Sequence, residues 1–310
     1  MEASSHALEL EKLAPISFDI GIFTGLSHDH LEFHGSMEKY FNAKEKLIAN
    51  AREVIINFDD PWGKRLYEKY ACKATGIGVV WRSDISATDV EISGLAGIGY
   101  IYKGKNFLTR VKLPLPGIHN LYNSMCAFEA AYKMHLLPKD IKEALSRLER
   151  IGGRCECIRD EITVIIDFAH TPYALENILK TAKSAKNQGQ KLWVVFGCGG
   201  ERDKTKRPLM AKAAEKHAEI IILTNDNPRS ESPQAIIKDI IQGFEKKEYS
   251  VILDRKKAIE YAVTHADKND IVIIAGKGDE KYLCECDGYH DFDEKKIIGE
   301  ALLKRGEIRI

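Results

Sequence analysis

Residues 218–229 read AEIIILTNDNPR, and the reading of this stretch decides the fold. Its β-branched apolar run, 218–224, predicts a buried strand of a parallel sheet. Pro228 fixes its own φ and drives Asn227 towards extended backbone, so the strand has to end in a defined turn. That turn gathers Asp226, Asn227 and Arg229 at the carboxyl end of the strand, where open α/β sheets bind their ligands. A guanidinium offers a planar fork to a carboxylate, while Asp and Asn oxygens accept from an ammonium. The group reads as a binder of an amino-acid head group. A strand-end turn with a solvated Arg is the plainer alternative, and the neighbouring loops bear on the choice.

Working outward, apolar strands alternate with helical stretches at 162–166, 192–196, 218–224, 250–253 and 271–275. That alternation predicts a doubly wound, mostly parallel α/β sheet. Other strand ends carry polar loops too: Asp167 to Pro172 (DFAHTP), Gly197 to Asp203 (GCGGERD) and Gly276 to Glu280 (GKGDE). Glycines before a helix free backbone N–H groups for an anion, and Arg202, Lys206 and Arg207 add charge. The dinucleotide fingerprint is met only in part, since Arg202 stands at its third Gly. Asp167 and His170 suit ribose or phosphate contacts, or cap the next helix. Loops converging on one rim of the sheet predict a binding site there.

Upstream, 18–24 and 53–58 predict strands and 36–51 an amphipathic helix; Asp59-Asp60-Pro61 is a turn signal. Gly-punctuated runs across 76–111, such as GIGVVW and GIGYIY, suggest antiparallel strands. Helical sequence covers 120–148, with Pro138 starting a second helix. Gly152-Gly153 reads as the linker, dividing 1–150 from 151–310. Residues 27–35 (SHDHLEFHG) pack three histidines and two acids together. If helical, His30 and His34 share a face at i, i+4, a metal spacing; otherwise the block is a polar loop. Lys44, taken alone, is a surface residue of a helix.

The 310 residues suffice for two domains with proper cores. Their 46 basic and 46 acidic side chains cancel, so no global field favours nucleic acid or membrane. Charged blocks at 204–207 and 245–248 read as solvated helix faces or a local anion site. Without an apolar run of about eighteen residues or a signal peptide, a cytoplasmic location is expected. Seven cysteines with no Cys-x-x-Cys pair read as reduced thiols.

The segments MEASSHAL (1–8), FTGLSHDHLEFHGSMEKYFNAKEKL (23–47), GIHNLYN (117–123), GGRCE (152–156), IDFAHTP (166–172), VVFGCGGERDKTKRPLM (194–210), TNDNPRSESP (224–233) and AGKGDEKY (275–282) occur in one order along the chain. Together they resemble the Mur ligases, most closely the MurE type, which adds the third amino acid to UDP-N-acetylmuramoyl-L-alanyl-D-glutamate in peptidoglycan synthesis. The resemblance implies the C-terminal part of a central ATPase domain over 1–150. A Rossmann-like, doubly wound C-terminal domain that binds the amino acid would follow over 151–310. It implies ATP and Mg²⁺: ATP activates a carboxylate as an acyl phosphate, which the incoming amine attacks. Lys44 falls where the family carries a carbamylated lysine, Glu2 at a metal position and His30 beside it as a catalytic residue. Ser4 and Lys12 match positions that bind the UDP-muramoyl peptide, with Lys12 in place of a usual Arg. Asn120, Arg154 and Asp167 match ATP positions. Arg202, Asp226, Asn227, Pro228, Arg229, Gly276 and Glu280 match the amino-acid pocket. The far carboxylate of meso-diaminopimelate suits Arg229, an Arg that lysine-adding relatives lack, so diaminopimelate is the expected substrate.

The sequence also departs from the family, at Gly25, Asp279 and Leu283, and it contains no G-x-x-x-x-G-K-[ST] phosphate loop. The family's uridine-binding segment has no counterpart either. Three origins are consistent with this: a truncated product, a mis-started frame, or one part of a split enzyme whose partner supplies the other half. The expectation is that the chain does not turn over alone and that its first sheet has an unpaired edge. Alternatives are a related ligase such as a folylpolyglutamate synthetase, a dinucleotide-dependent oxidoreductase built on the 197–200 glycines, and a non-catalytic binding remnant.

Overall fold

In the computed structural model, which describes residues 1–80, 83–149, 151–246 and 248–308, the chain falls into two units, Met1–Glu149 and Arg150–Ile310. Trp81, the last residue of the expected GIGVVW strand, and Lys247 of the 245–248 block lie outside the described residues.

The first unit runs α1 (Ser5–Glu9), β1 (Phe18–Phe23), α2 (Leu31–His34), α3 (Met37–Asn50), β2 (Ala51–Asn57), α4 (Pro61–Lys69), β3 (Ala74–Gly78), β4 (Ile85–Ile92), β5 (Ile98–Lys103), β6 (Leu108–Leu113), α5 (Ile118–Lys133) and α6 (Pro138–Ser146). Its six strands lie in chain order, with β1 at one edge. β1 to β4 pair in parallel, and β4, β5 and β6 are antiparallel. The all-antiparallel expectation for 76–111 therefore fails at β3. A parallel neighbour needs a crossover, and α4 supplies it between β2 and β3. The Asp59-Asp60-Pro61 signal opens that helix. Asp60 is the N-cap, Oδ1 accepting the N–H groups of Trp62 (3.0 Å) and Gly63 (2.9 Å), with Pro61 in the first turn. Alternate residues of β2 face opposite layers. Ile55 packs with Tyr100, Met125 and Phe128, whereas Val54 and Ile56 pack with Phe41, Ile48 and Leu66.

The second unit runs β7 (Glu156–Arg159), β8 (Thr163–Asp167), α7 (Pro172–Ala185), β9 (Leu192–Phe196), α8 (Lys206–His217), β10 (Ile220–Leu223), α9 (Pro233–Ile241), β11 (Ser250–Val251), α10 (Arg255–His265), β12 (Ile271–Ala275), β13 (Tyr282–Glu285), β14 (Gly288–Asp291) and α11 (Glu294–Ile308). The main sheet has the order β11-β10-β9-β12-β8-β7, parallel except for β7 on the edge. β9 and β12 are buried along their whole length, as strands covered on both faces must be. β13 and β14 form a separate hairpin.

All seven cysteines are free thiols, and burial pushes Cys126 and Cys198 up to about 12, out of the reactive range. Among the described residues no helix is long and apolar enough to cross a membrane.

Gly152-Gly153 is not a loose linker. Gly153 is buried at φ +64°, and a Cβ there would sit 2.3 Å from the Asp279 nitrogen and 2.5 Å from the Gly278 carbonyl carbon. Its carbonyl accepts the Phe168 N–H at 2.9 Å. Two backbones meet at this point, and only glycine allows the approach. Gly153→Ala is therefore expected to lower stability by about 1–3 kcal/mol in urea unfolding; an unchanged midpoint would show that the contact yields freely.

Candidate functional site

The loops after β9, β10 and β12 meet around the Asp226–Arg229 turn. Asp226 is buried; its Oδ1 accepts the Asn227 N–H at 2.7 Å. Its Oδ2 is buried without a hydrogen-bond partner among the described residues. Gly276, at φ +120°, lies beside that oxygen: a Cβ would come within 2.4 Å of Oδ2. Asn227 is buried as well. Its Oδ1 accepts from Lys277 Nζ (2.9 Å) and from the Cys284 N–H (2.9 Å), while Nδ2 donates to Glu280 Oε2 (3.0 Å). Lys277, wholly buried, also donates to Glu280 Oε2 at 3.1 Å and lies 5.2 Å from the centre of the Tyr282 ring. Asp226 Oδ2 thus has no protein partner among the described residues, while Asn227 is already engaged within the protein. Asp226 holds its own turn, and the ammonium on Asn227 is the protein's own Lys277. A lysine set between two glycines after a buried strand was the available signal.

Pro228 is buried, and Arg229 follows in the left-handed region at φ +56°. Its N–H donates to the Cys284 carbonyl (3.0 Å), and its Nη1 to the carbonyls of Gly200 (2.7 Å) and Asn227 (3.3 Å). These bonds aim the guanidinium. Arg202 shares the place: a Cβ on Gly199 would lie 3.1 Å from Arg229 Nη1 and 3.6 Å from Arg202 Cγ. Arg202 is exposed, and Arg229 and Glu280 are half-buried. Two guanidinium groups and a carboxylate are thus the ends that solvent reaches. They suit a small molecule bearing both signs of charge.

The 197–200 glycines serve this turn rather than a nucleotide. A Cβ on Gly200 would lie 1.9 Å from the Pro228 carbonyl oxygen, one on Gly197 2.2 Å from that of Thr224, and the Gly200 N–H donates to the Asn227 carbonyl at 2.9 Å. α8 begins only at Lys206, so the loop is not a helix N-terminus. Lys206 and Arg207 are buried, not a solvated face. Arg207 ion-pairs with Glu231 and Asp239 at 2.8 Å each and donates to the Gly199 carbonyl at 3.2 Å. The oxidoreductase alternative loses its footing.

Asp167 ends β8. Its Oδ1 accepts the Ala169 N–H (2.8 Å) and its Oδ2 the Cys155 N–H (2.7 Å). Burial raises its pKa, and those two bonds oppose the rise. Its carbonyl accepts the Gly276 N–H at 3.0 Å, joining this loop to the one after β12. Arg154 is exposed, 4.6 Å over the Phe168 ring. The α7 cap is Thr171, so neither Asp167 nor His170 serves there.

In the first unit Lys44 Nζ donates to the Ala3 carbonyl at 3.0 Å, between exposed Glu2 and Ser4. Ser4 caps α1 through the Ala7 N–H (3.2 Å), and Lys12 is exposed. Burial lowers the Lys44 pKa, and Glu2 opposes the shift. His30 is not in a helix: it precedes α2 at φ +56°, so the i, i+4 pairing with His34 does not form. His34 is buried and stacked on Tyr40 at 5.1 Å, and burial, reinforced by His6, lowers its pKa. It packs as a core ring. Among the described residues, the acidic and His side chains close enough to share an ion are Glu285, Asp287 and His290, on the β13–β14 hairpin. For Mg²⁺, Glu2 offers a carboxylate as it stands, while Lys44 offers oxygen only as a carbamate. Asn120, in the first turn of α5, donates to the Pro116 carbonyl at 2.8 Å.

The fold is that of an α/β protein of two units, each built on a six-stranded sheet, with charged loops gathered at the strand ends of the second. Residues 1–131 match the Mur ligase middle domain and 153–278 the glutamate ligase domain of Mur ligases, and the chain belongs to the Mur ligase family. The UDP-N-acetylmuramoyl-L-alanyl-D-glutamate–2,6-diaminopimelate ligase of Syntrophomonas wolfei is 40% identical over 320 residues, covering 100% of this chain and 64% of its own. A solved structure of a ligase of that name is 35% identical, with a TM-score of 0.61 over 98% of this chain and 64% of its own. MurF ligase from Thermotoga maritima, solved with ADP, shares the fold at a TM-score of 0.68 and 17% identity, over 99% of this chain and 66% of its own. The chain thus spans 64% of the length of the diaminopimelate ligases it matches.

Asn227→Ala would leave the Cys284 N–H without its acceptor and strip a partner from the buried Lys277. A loss of about 1–3 kcal/mol is expected in thermal or urea unfolding, and wild-type stability would contradict the network.

Proposed function

We propose that the protein acts in the ATP-dependent ligation of meso-diaminopimelate to UDP-N-acetylmuramoyl-L-alanyl-D-glutamate, a cytoplasmic step of peptidoglycan synthesis. One observation carries the substrate: Arg229, aimed by the Gly200 and Asn227 carbonyls, stands beside Arg202, while Glu280 is held on the adjoining loop. A guanidinium fixed this way takes a carboxylate, and Glu280 supplies the charge for an ammonium. Diaminopimelate exceeds lysine by one carboxylate. With lysine, the Arg229 fork keeps no ligand partner, which on general grounds costs roughly 100-fold in selection. The names of the full-length relatives point to the same amino acid.

Glu280 and the Arg229–Arg202 pair orient the amino acid, leaving its reacting amine to be presented as the free base. Arg154 and Asp167 in the second unit and Asn120 in the first are assigned to ATP, and Ser4 and Lys12 to the UDP-muramoyl peptide. Lys12 keeps a positive charge for that ligand without the bidentate fork of an Arg. His30 is assigned to the catalytic group of the first unit. Burial favours the neutral amine of Lys44, the form that takes up CO₂ to give a carbamate. Bound at Glu2 and that carbamate, Mg²⁺ would neutralise phosphate charge.

Calorimetry of the 310-residue chain is expected to show diaminopimelate binding at least tenfold tighter than lysine, a preference lost in Arg229→Ala. Equal affinities, or a preference for lysine, would sink the substrate assignment. With ¹³C-bicarbonate at mildly alkaline pH, a carbamate resonance is expected that Lys44→Ala abolishes. A spectrum unchanged by that substitution would remove Lys44 from the metal site.

A further inference from the structure

We propose that Arg255, the first residue of α10, is a positioning residue that holds the two amino-acid-binding loops in register and so sets the spacing between Arg229 and Glu280; this rests on the function proposed above. Arg255 is 2% exposed as a residue, and its buried guanidinium cannot reach a ligand. Each of its three nitrogens has its own acceptor. Nε donates to Glu294 Oε1 (2.7 Å), Nη1 to the Asn225 carbonyl (3.0 Å) and Nη2 to the Ala275 carbonyl (2.9 Å). Asn225 immediately precedes Asp226, and Ala275 immediately precedes Gly276.

One carbonyl lies two residues beyond the end of β10 and the other on the last residue of β12, and β9 lies between those strands. No ladder of sheet hydrogen bonds ties one end to the other. A rigid planar fork can span the gap, and a lysine ammonium cannot reproduce its two fixed directions. α10 holds the fork in place: Asp254 caps the helix through the Lys257 N–H (3.1 Å), and the Asn225 N–H bonds back to the Leu253 carbonyl (3.2 Å). Glu294, the first residue of α11 and itself buried, supplies the counter-charge.

A purely space-filling role explains this arrangement poorly. A buried cation is costly to desolvate, and an apolar side chain would pack a helix start without that cost. What the Arg adds is a connection. Asn227 comes from one loop and Lys277 and Glu280 from the other, bonded at 2.9 and 3.0 Å. A slip of either loop therefore changes both that network and the distance a ligand's charges must span.

The test is amide hydrogen exchange on the ligand-free 310-residue chain, paired with calorimetry using meso-diaminopimelate. In Arg255→Lys, amides of Asp226, Asn227 and Arg229 and of 276–280 are expected to exchange at least tenfold faster together, with β9 still protected and binding weakened at least tenfold. In Arg255→Ala, added methylguanidinium is expected to restore both protection and binding in part. Acceleration of one loop alone, of the whole second unit equally, or of neither loop would overturn the proposal, as would absence of rescue. Wild-type protein that fails to bind diaminopimelate while the loops remain coupled through Arg255 would remove the proposed function and support the positioning role.

Discussion

A buried ammonium organises the second unit. Lys277 has no exposed surface, and a charge in that position is tolerated only when fully bonded. Its bonds go to Asn227 Oδ1 and Glu280 Oε2. That requirement fixes the orientation of the Asn227 amide, which then accepts the Cys284 N–H and donates to the same Glu280 oxygen. Three separate chain segments are thereby locked: the turn after β10, the loop after β12 and the start of the β13–β14 hairpin. Arg229 inherits its direction from the same lock, because its own N–H bonds to Cys284 and its guanidinium to the carbonyls of Gly200 and Asn227.

Glycine makes the lock geometrically possible. At Gly276 a side chain would collide with Asp226, at Gly200 with Pro228 and at Gly153 with the Gly278–Asp279 backbone. Each glycine marks a place where two backbones, or a backbone and a buried carboxylate, approach within van der Waals range. The strand-end loops are therefore held by close main-chain contacts, with charged side chains at their solvent-facing ends.

Much of this architecture is legible in the sequence, since it rests on local signals. β9 and β12 are uninterrupted apolar runs, and Pro138 begins α6 as a proline in the first helical turn should. α4 is hidden because Asp60-Pro61 serves a turn and a helix start equally well, although Trp62, Leu66 and Tyr67 give the helix an apolar face. His30 misled because a left-handed φ on a non-glycine residue leaves no mark in composition. The buried cations were the hardest to see. Arg207 and Arg255 look like surface charges in sequence, and their acidic partners stand 24 and 32, or 39, positions away. Nothing local distinguishes a paired charge from a solvated one. The gathering of polar strand-end loops, by contrast, is legible, because a parallel sheet sends its loops to one rim whatever their content.

On the function proposed above, the strand-end rim of the second unit reads an amino acid through charges at its two ends. A crystal structure of the 310-residue chain soaked with meso-diaminopimelate tests it most directly. A carboxylate of the ligand on the Arg229 guanidinium, next to Arg202, with an ammonium facing Glu280 and the Lys277–Asn227–Glu280 bonds intact, is the predicted result. Ligand density elsewhere, or at this rim with Arg229 still bonded only to protein carbonyls, would contradict it.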